Sequence, residues 1–304
     1  MGADGAPVPL SLIFVVAVFA AASIACGRTG SVDRERLKPA ETIVGRAAWN
    51  GRTAVLTDAP ALLVIDPRSR TLSRRALSIA PSTSSTLWGL GEDGGSLFTV
   101  SAFSDLVRID ADGLATAVAR VERPLANLFD LDDGMGGQYA SADSALSLAV
   151  RVRPDGSLVP LHGPPREKFG LSPIEEGILN LFSCSGAPRV VCWRPGRGTL
   201  FEFTSSGLWP SAELEGLPQM QPALIVAGNA RAIDDVIASV DGNYLVLHSA
   251  LGTPGRQQLT TFDSDGRQVG SMQPQIPLRL LLSKERISVV AMARTGEIVK
   301  LDLR

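Results

Sequence analysis

Residues 87–121 read LWGLGEDGGSLFTVSAFSDLVRIDADGLATAVARV, and this stretch divides into four short apolar runs separated by turn residues. Leu87–Gly91 is followed by Gly94-Gly95, Ser96–Ala102 by a polar break, and Leu106–Asp110 by Asp112-Gly113, which leads into Ala115–Val121. Runs of this length bounded by Gly, Asp and Ser predict strands joined by tight turns, because helices need longer stretches with a 3.6-residue period. Asp-Gly suits such turns, since glycine takes positive φ without a Cβ penalty.

Working outward, the end of the third run recurs along the chain. Ile65-Asp66, Ile109-Asp110, Val152-Arg153, Phe203-Thr204, Phe262-Asp263 and Leu301-Asp302 each pair an apolar residue with a polar one, and most lead into a turn containing Gly. The polar members fall at 66, 110, 153, 204, 263 and 302, giving spacings of 44, 43, 51, 59 and 39 residues. A period of about 40–50 residues with four strands per unit is the pattern of β-propeller blades. The expected fold is therefore all-β: a six-bladed β-propeller of four-stranded antiparallel blades over residues 32–304, with a two-domain β-sandwich as the alternative. The last unit reaches only its third strand, near Glu297–Leu303, after Leu278–Ser283 and Ile287–Ala293. Its missing fourth strand is expected from Val32–Pro39, which closes the ring and covers an otherwise open edge.

The repeat resembles six-bladed propellers of the NHL and TolB-like type, and Gly296-Glu297-Ile298-Val299-Lys300-Leu301-Asp302 resembles the repeat of quinoprotein-like propellers. The resemblance implies a scaffold whose loops and central channel carry whatever function there is.

The N-terminus reads as an address. Val8 to Ala25 is a nearly unbroken apolar run, and Leu10–Ala22 has the length of a signal-peptide core, short for a membrane span. It ends in Ser23-Ile24-Ala25-Cys26, which resembles the bacterial lipobox and implies a lipidated Cys26. Ser23 stands where that motif prefers an aliphatic residue, and the first nine residues hold Asp4 and no Lys or Arg. Residues 1–25 are therefore expected to be a signal peptide or membrane anchor and residues 26–31 a tether, in a protein of the bacterial cell envelope facing away from the cytoplasm. The Met-Gly start lacks the Ser or Thr at position 6 that myristoylation requires, having Ala6 instead.

Composition narrows the function classes. With 45% hydrophobic residues there is ample core material, and a net charge of -2 without a basic stripe excludes a typical nucleic-acid binder. Asp110/Asp112 and Asp263/Asp265 precede Gly, but the twelfth positions of a calcium loop would be Val121 and Pro274, so both pairs read as turns. Asp132-Asp133-Gly134 and Asp241-Gly242-Asn243 read the same way. No Gly-x-Ser-x-Gly elbow is present, and His162 and His248 lack the spacing of zinc ligands. The glycines at 89–95 and 134–137 lack a P-loop lysine. No cofactor motif is present, and none is expected.

Cys184 and Cys192 flank Ser185-Gly186-Ala187-Pro188. A three-residue turn centred on Pro188 sets the cysteines opposite each other for a disulfide; a four-residue turn does not. Export would permit the bond. The longest connection that does not repeat, Gly163–Gly177, brings Arg166, Lys168 and Phe169 together as a candidate binding surface, with a solvated helical turn as the alternative. The leading functional expectation is a non-enzymatic binding or scaffold propeller that takes a protein or small ligand at its loops. The alternative is a metal-dependent lactonase or lyase-type propeller, which needs carboxylates such as Asp130 and Asp234, with Asn180, to converge in the channel.

Overall fold

The computed structural model describes residues 41–303 apart from 103, 141–148, 187–188, 218, 223–224, 226–231, 250–255 and 286. Six antiparallel sheets stand in a ring. Blade 1 comprises β1 Ile43–Trp49, β2 Arg52–Thr57, β3 Ala61–Asp66 and β4 Thr71–Ala76. The short β5, Ser78–Ile79, then runs parallel to the outermost strand of blade 2, which comprises β6 Leu87–Asp93, β7 Ser96–Ser101, β8 Asp105–Ile109 and β9 Leu114–Arg120. Blade 3 holds β10 Leu125–Leu131, β11 Gly134–Tyr139, β12 Ala149–Val152 and β13 Leu158–Pro160. Helix α1, Pro173–Leu179, leads to blade 4, with β14 Ser183–Ser185, β15 Val190–Trp193, β16 Thr199–Thr204 and β17 Gly207–Glu213. Blade 5 has β18 Ile233–Ala238, β19 Tyr244–Ser249, β20 Gln257–Phe262 and β21 Gln268–Met272, and blade 6 has β22 Leu278–Lys284, β23 Ser288–Ala293 and β24 Ile298–Asp302.

The six recurring dipeptides all fall where the third strands end. At these ends the turn chemistry is visible: Asp110 Oδ1 accepts the N–H of Asp112 and of Leu114, and Asp263 Oδ1 accepts those of Asp265 and Arg267. The aspartates that resembled calcium loops are hairpin caps.

Packing follows from the two-residue period of strands. In β2, Ala54 and Leu56 point toward blade 2 and pack with Leu87, Leu90, Leu97 and Val107, whereas Val55 points the other way, onto Leu280, Val290 and Met292 of blade 6. Each of the six buried clusters lies between two neighbouring blades, and the cluster between blades 1 and 6 closes the ring. Second strands are thus apolar on both faces. Fourth strands such as Thr71–Ala76 and Gln268–Met272 are largely exposed and polar. Each buried Leu or Val contributes about 1.5–3 kcal/mol.

The first strands line the channel and approach one another closely. A Cβ on Gly45 would lie 2.4 Å from the Gly89 carbonyl carbon, and one on Gly89 would lie 2.2 Å from the Leu128 nitrogen. Only glycine permits this contact between the inner strands of blades 1, 2 and 3. Blade 6 is described with three strands, and Val32–Pro39, the segment expected to complete it, lies outside the described residues, as do Cys26 and the whole apolar N-terminus. Among the described residues no helix is long and apolar enough to cross a membrane.

Candidate functional site at the channel mouth

An innermost strand pairs on one side only, so its other edge points backbone N–H and C=O groups into the channel. Buried groups of this kind need partners. Three charged side chains supply them. Asp130, near the end of β10, accepts the N–H of Glu92 at 2.9 Å through Oδ1 and that of Ala48 through Oδ2, so it joins the inner strands of blades 1, 2 and 3. Asp235 of β18 accepts the N–H of Leu281 at 2.6 Å. Arg46 of β1 donates to both carboxylate oxygens of Asp235 at 3.0 Å and to the Leu281 carbonyl at 3.0 Å. This knot ties blades 1, 5 and 6.

Gln257 and Gln138 do similar work at the start of a following blade. Gln257 bonds both backbone groups of Leu278, and Gln138 bonds the Asn180 carbonyl and the Phe182 N–H.

Burial dominates the electrostatics of Asp130. It pushes the carboxyl up to about 7, against the two N–H bonds that favour the charged form, and the neighbouring Glu92 carboxylate adds to the rise. His248 is buried on β19 with Nε2 2.9 Å from the Thr260 hydroxyl, and desolvation lowers its pKa.

Above this layer, on the face carrying the turns between first and second strands, lies a cavity of about 380 Å³. Its walls include Ala47 and Ala48 of blade 1, Gly186 of blade 4, Ile237 of blade 5 and Leu282 and Ser283 of blade 6. Arg52 and Arg68 are exposed on its rim, and among the described residues neither makes an ion pair. Glu285, also on the rim, is held by Lys300 at 2.6 Å and by the Ser288 hydroxyl at 2.8 Å.

The residues expected to form a site are scattered. Asn180 caps the end of α1, its amide bonding Glu167 and Glu176. Asp234 accepts from Gln257 at 3.0 Å. Neither shares a partner with Asp130, and among the described residues no group of three or more His, Cys, Asp or Glu is placed to hold a metal ion. In the Gly163–Gly177 connection, Arg166 bonds the Pro173 carbonyl at 3.3 Å and lies 4.0 Å from Glu176. The Phe169 ring lies under the Arg197 guanidinium at 5.4 Å, and Lys168 is exposed. The helical turn α1, with its Ser172–Glu175 capping box, gives this connection its shape. Glu167 is its organising residue, pairing Arg194 at 2.7 Å and Arg197 at 2.5 Å.

His162 stacks on Trp209 with ring centroids 3.8 Å apart. Cys184 lies opposite Cys192 in the ladder between β14 and β15, the register an odd-numbered turn gives, and the two form a disulfide.

Sequence reasoning passed over Arg46, Asp235, Arg52 and Arg68. For Arg46 a signal existed: it is the lone charge within a strand of otherwise apolar pattern, whereas Asp235 stands beside Asp234 in β18.

No family model and no curated protein matches the sequence. Among solved structures, the chain is similar to a protein classed as exported from Bacteroides fragilis, at 11% identity and a TM-score of 0.52 over 87% of this chain and 82% of that one. It is also similar to regucalcin, a calcium-binding protein from Agrobacterium tumefaciens, at 11% identity and a TM-score of 0.50 over 88% of this chain and 93% of that one. Likeness at this level of identity establishes the propeller fold alone.

Proposed function

We propose that this chain is a non-enzymatic binding propeller of the bacterial cell envelope, exported and lipid-anchored through Cys26, whose ligand or partner seats over the channel mouth. One observation carries the reading: the channel's charged side chains are committed to holding inner strands together, while the 380 Å³ cavity above them is open and rimmed by Arg52 and Arg68. Its size falls within the usual range of ligand pockets, roughly 300–1,000 Å³. Closure of blade 6 by Val32–Pro39 belongs to the same proposal, and deleting residues 32–40 with the anchor retained is expected to lower the melting temperature.

The test uses the anchored protein as bait in native membranes, alongside Ser283→Trp, which fills the cavity without changing charge. Wild type is expected to capture a partner or ligand that Ser283→Trp does not, and Cys26→Ser is expected to leave the membrane fraction. Equal capture by wild type and Ser283→Trp would reject the mouth as the binding site.

A further inference from the structure

The cavity at the channel mouth has two unlike halves. Its inner wall is mostly apolar, with Ala48, Ile237 and Leu282, and Arg46 of the knot also borders it. Its outer rim is cationic. Arg52 begins β2, Arg68 lies in the turn after β3, and both residues are exposed and border the cavity.

The charges within reach leave this rim positive. Arg46 is spent on Asp235, and Glu285 on Lys300. Asp66 is the carboxylate closest in sequence and register. It is turned into its own turn, accepting the N–H groups of Ser69 at 3.2 Å and Arg68 at 2.8 Å, which hold its pKa below the usual carboxylate range; the charge of Arg52 adds a smaller lowering. The rim thus carries two guanidiniums without an ion pair among the described residues, while the carboxylates Asp66 and Glu285 are held by other partners. The planar guanidinium fork binds carboxylate or phosphate by paired charge-assisted bonds, and it is weakly hydrated, which lowers the cost of removing its water.

We infer that the channel-mouth cavity binds a small organic anion, with its carboxylate or phosphate group between Arg52 and Arg68 and its apolar body against Ala48, Ile237 and Leu282. The inference rests on the proposed binding function and names its ligand class. The cavity volume suits a compact ring system with one acidic group, not an extended polymer. Ser283, also in the wall, adds a polar residue beside the apolar patch.

The probe is 2-naphthoate titrated calorimetrically into the exported domain, residues 27–304, with neutral 2-naphthamide as its counterpart. Phenyl phosphate paired with phenol extends the comparison to phosphate. The expected Kd for an anionic probe is below about 1 mM, with the neutral counterpart at least about tenfold weaker. Arg52→Ala/Arg68→Ala is expected to weaken the anion at least about tenfold and leave the neutral compound unchanged, and added salt is expected to weaken only the anion. Arg52→Lys/Arg68→Lys should restore part of the loss, because charge returns without the fork. Failure of both anions to bind, or equal binding by wild type and the double alanine variant, would overturn the inference. Capture in native membranes separates it from the broader reading. If Ser283→Trp abolishes capture while the double alanine variant does not, the mouth binds but the ligand is not anionic, and the inference fails alone. If neither variant changes capture, both fail.

Discussion

Arg46 and Arg52 lie six residues apart on adjacent strands of one hairpin, yet they belong to different regions of the molecule. Arg46 is inside the channel, its guanidinium divided between Asp235 and the Leu281 carbonyl, with its side chain 7% exposed. Arg52 is outside, at the mouth, exposed and without an ion pair among the described residues. Residue type does not tell architecture from function here; what each charge is already bonded to does. A charge that satisfies an inner strand's orphan N–H or C=O is part of the ring, and only a charge left over is free for a ligand.

The contrast breaks most visibly at the knot. Asp235→Ala strands a buried guanidinium and the Leu281 N–H, and the expected loss is about 3–5 kcal/mol, read as a lowered midpoint in urea. A loss within about 0.5 kcal/mol, the range of ordinary surface substitutions, would move Asp235 to the functional side of the comparison.

Asp130 gives the next effect, and its sign is fixed by linkage. Its folded pKa, about 7, is raised above the ordinary 3.8. The folded state therefore holds a proton that the unfolded chain releases, and this group's contribution is full below pH 3.8 and lost as pH rises through 7. The shift corresponds to about 4 kcal/mol across that window. His248, whose pKa is lowered by burial, acts oppositely below its ordinary 6.5. The informative quantity is thus the difference between wild type and Asp130→Asn. Wild type should lose more stability than the variant between pH 5 and 8, and parallel melting curves across that range would contradict the assignment.

A smaller effect is expected at the β14–β15 hairpin. Replacing Cys184 and Cys192 together by Ala opens a short loop, at a cost on the order of 2 kcal/mol by the chain-entropy estimate. The pair lies on the same β14–β15 hairpin whose turn holds Gly186, a wall of the cavity, so the effect is read from stability and not from binding. The smallest effect is expected at the rim: Arg52→Ala and Arg68→Ala should each change stability by less than about 0.5 kcal/mol. A rim variant that destabilises as much as Asp235→Ala would erase the distinction.

How much of this was legible in the sequence follows the same division. The hairpins were legible because their chemistry is local: Asp110 and Asp263 bond N–H groups two and four residues onward, so the motif and its geometry sit in one short window. Six such ends at a spacing near 40–60 residues were enough to count blades. The knot was not legible, because its meaning depends on chain segments far apart. Arg46 and Asp235 are separated by 189 residues, and Asp130 and Ala48 by 82. Nor could sequence say that the Gly163–Gly177 loop turns Arg166 and Phe169 onto its own helix and leaves Lys168 exposed. That outcome depends on Glu176, Arg197 and Glu167 meeting in space.

The central claim is that the channel's charges are structural and coupled to one another. A double-mutant cycle on Arg46→Met and Asp235→Leu, measured by urea denaturation, tests it most directly. Each single variant should be destabilised by about 3–5 kcal/mol, while the double variant should recover much of that loss, because no uncompensated buried charge remains. The expected coupling is at least about 2 kcal/mol. Single variants that fold as stably as wild type, with additive effects in the double, would show that this pair does not hold the ring and would return Arg46 and Asp235 to the list of residues available to a ligand.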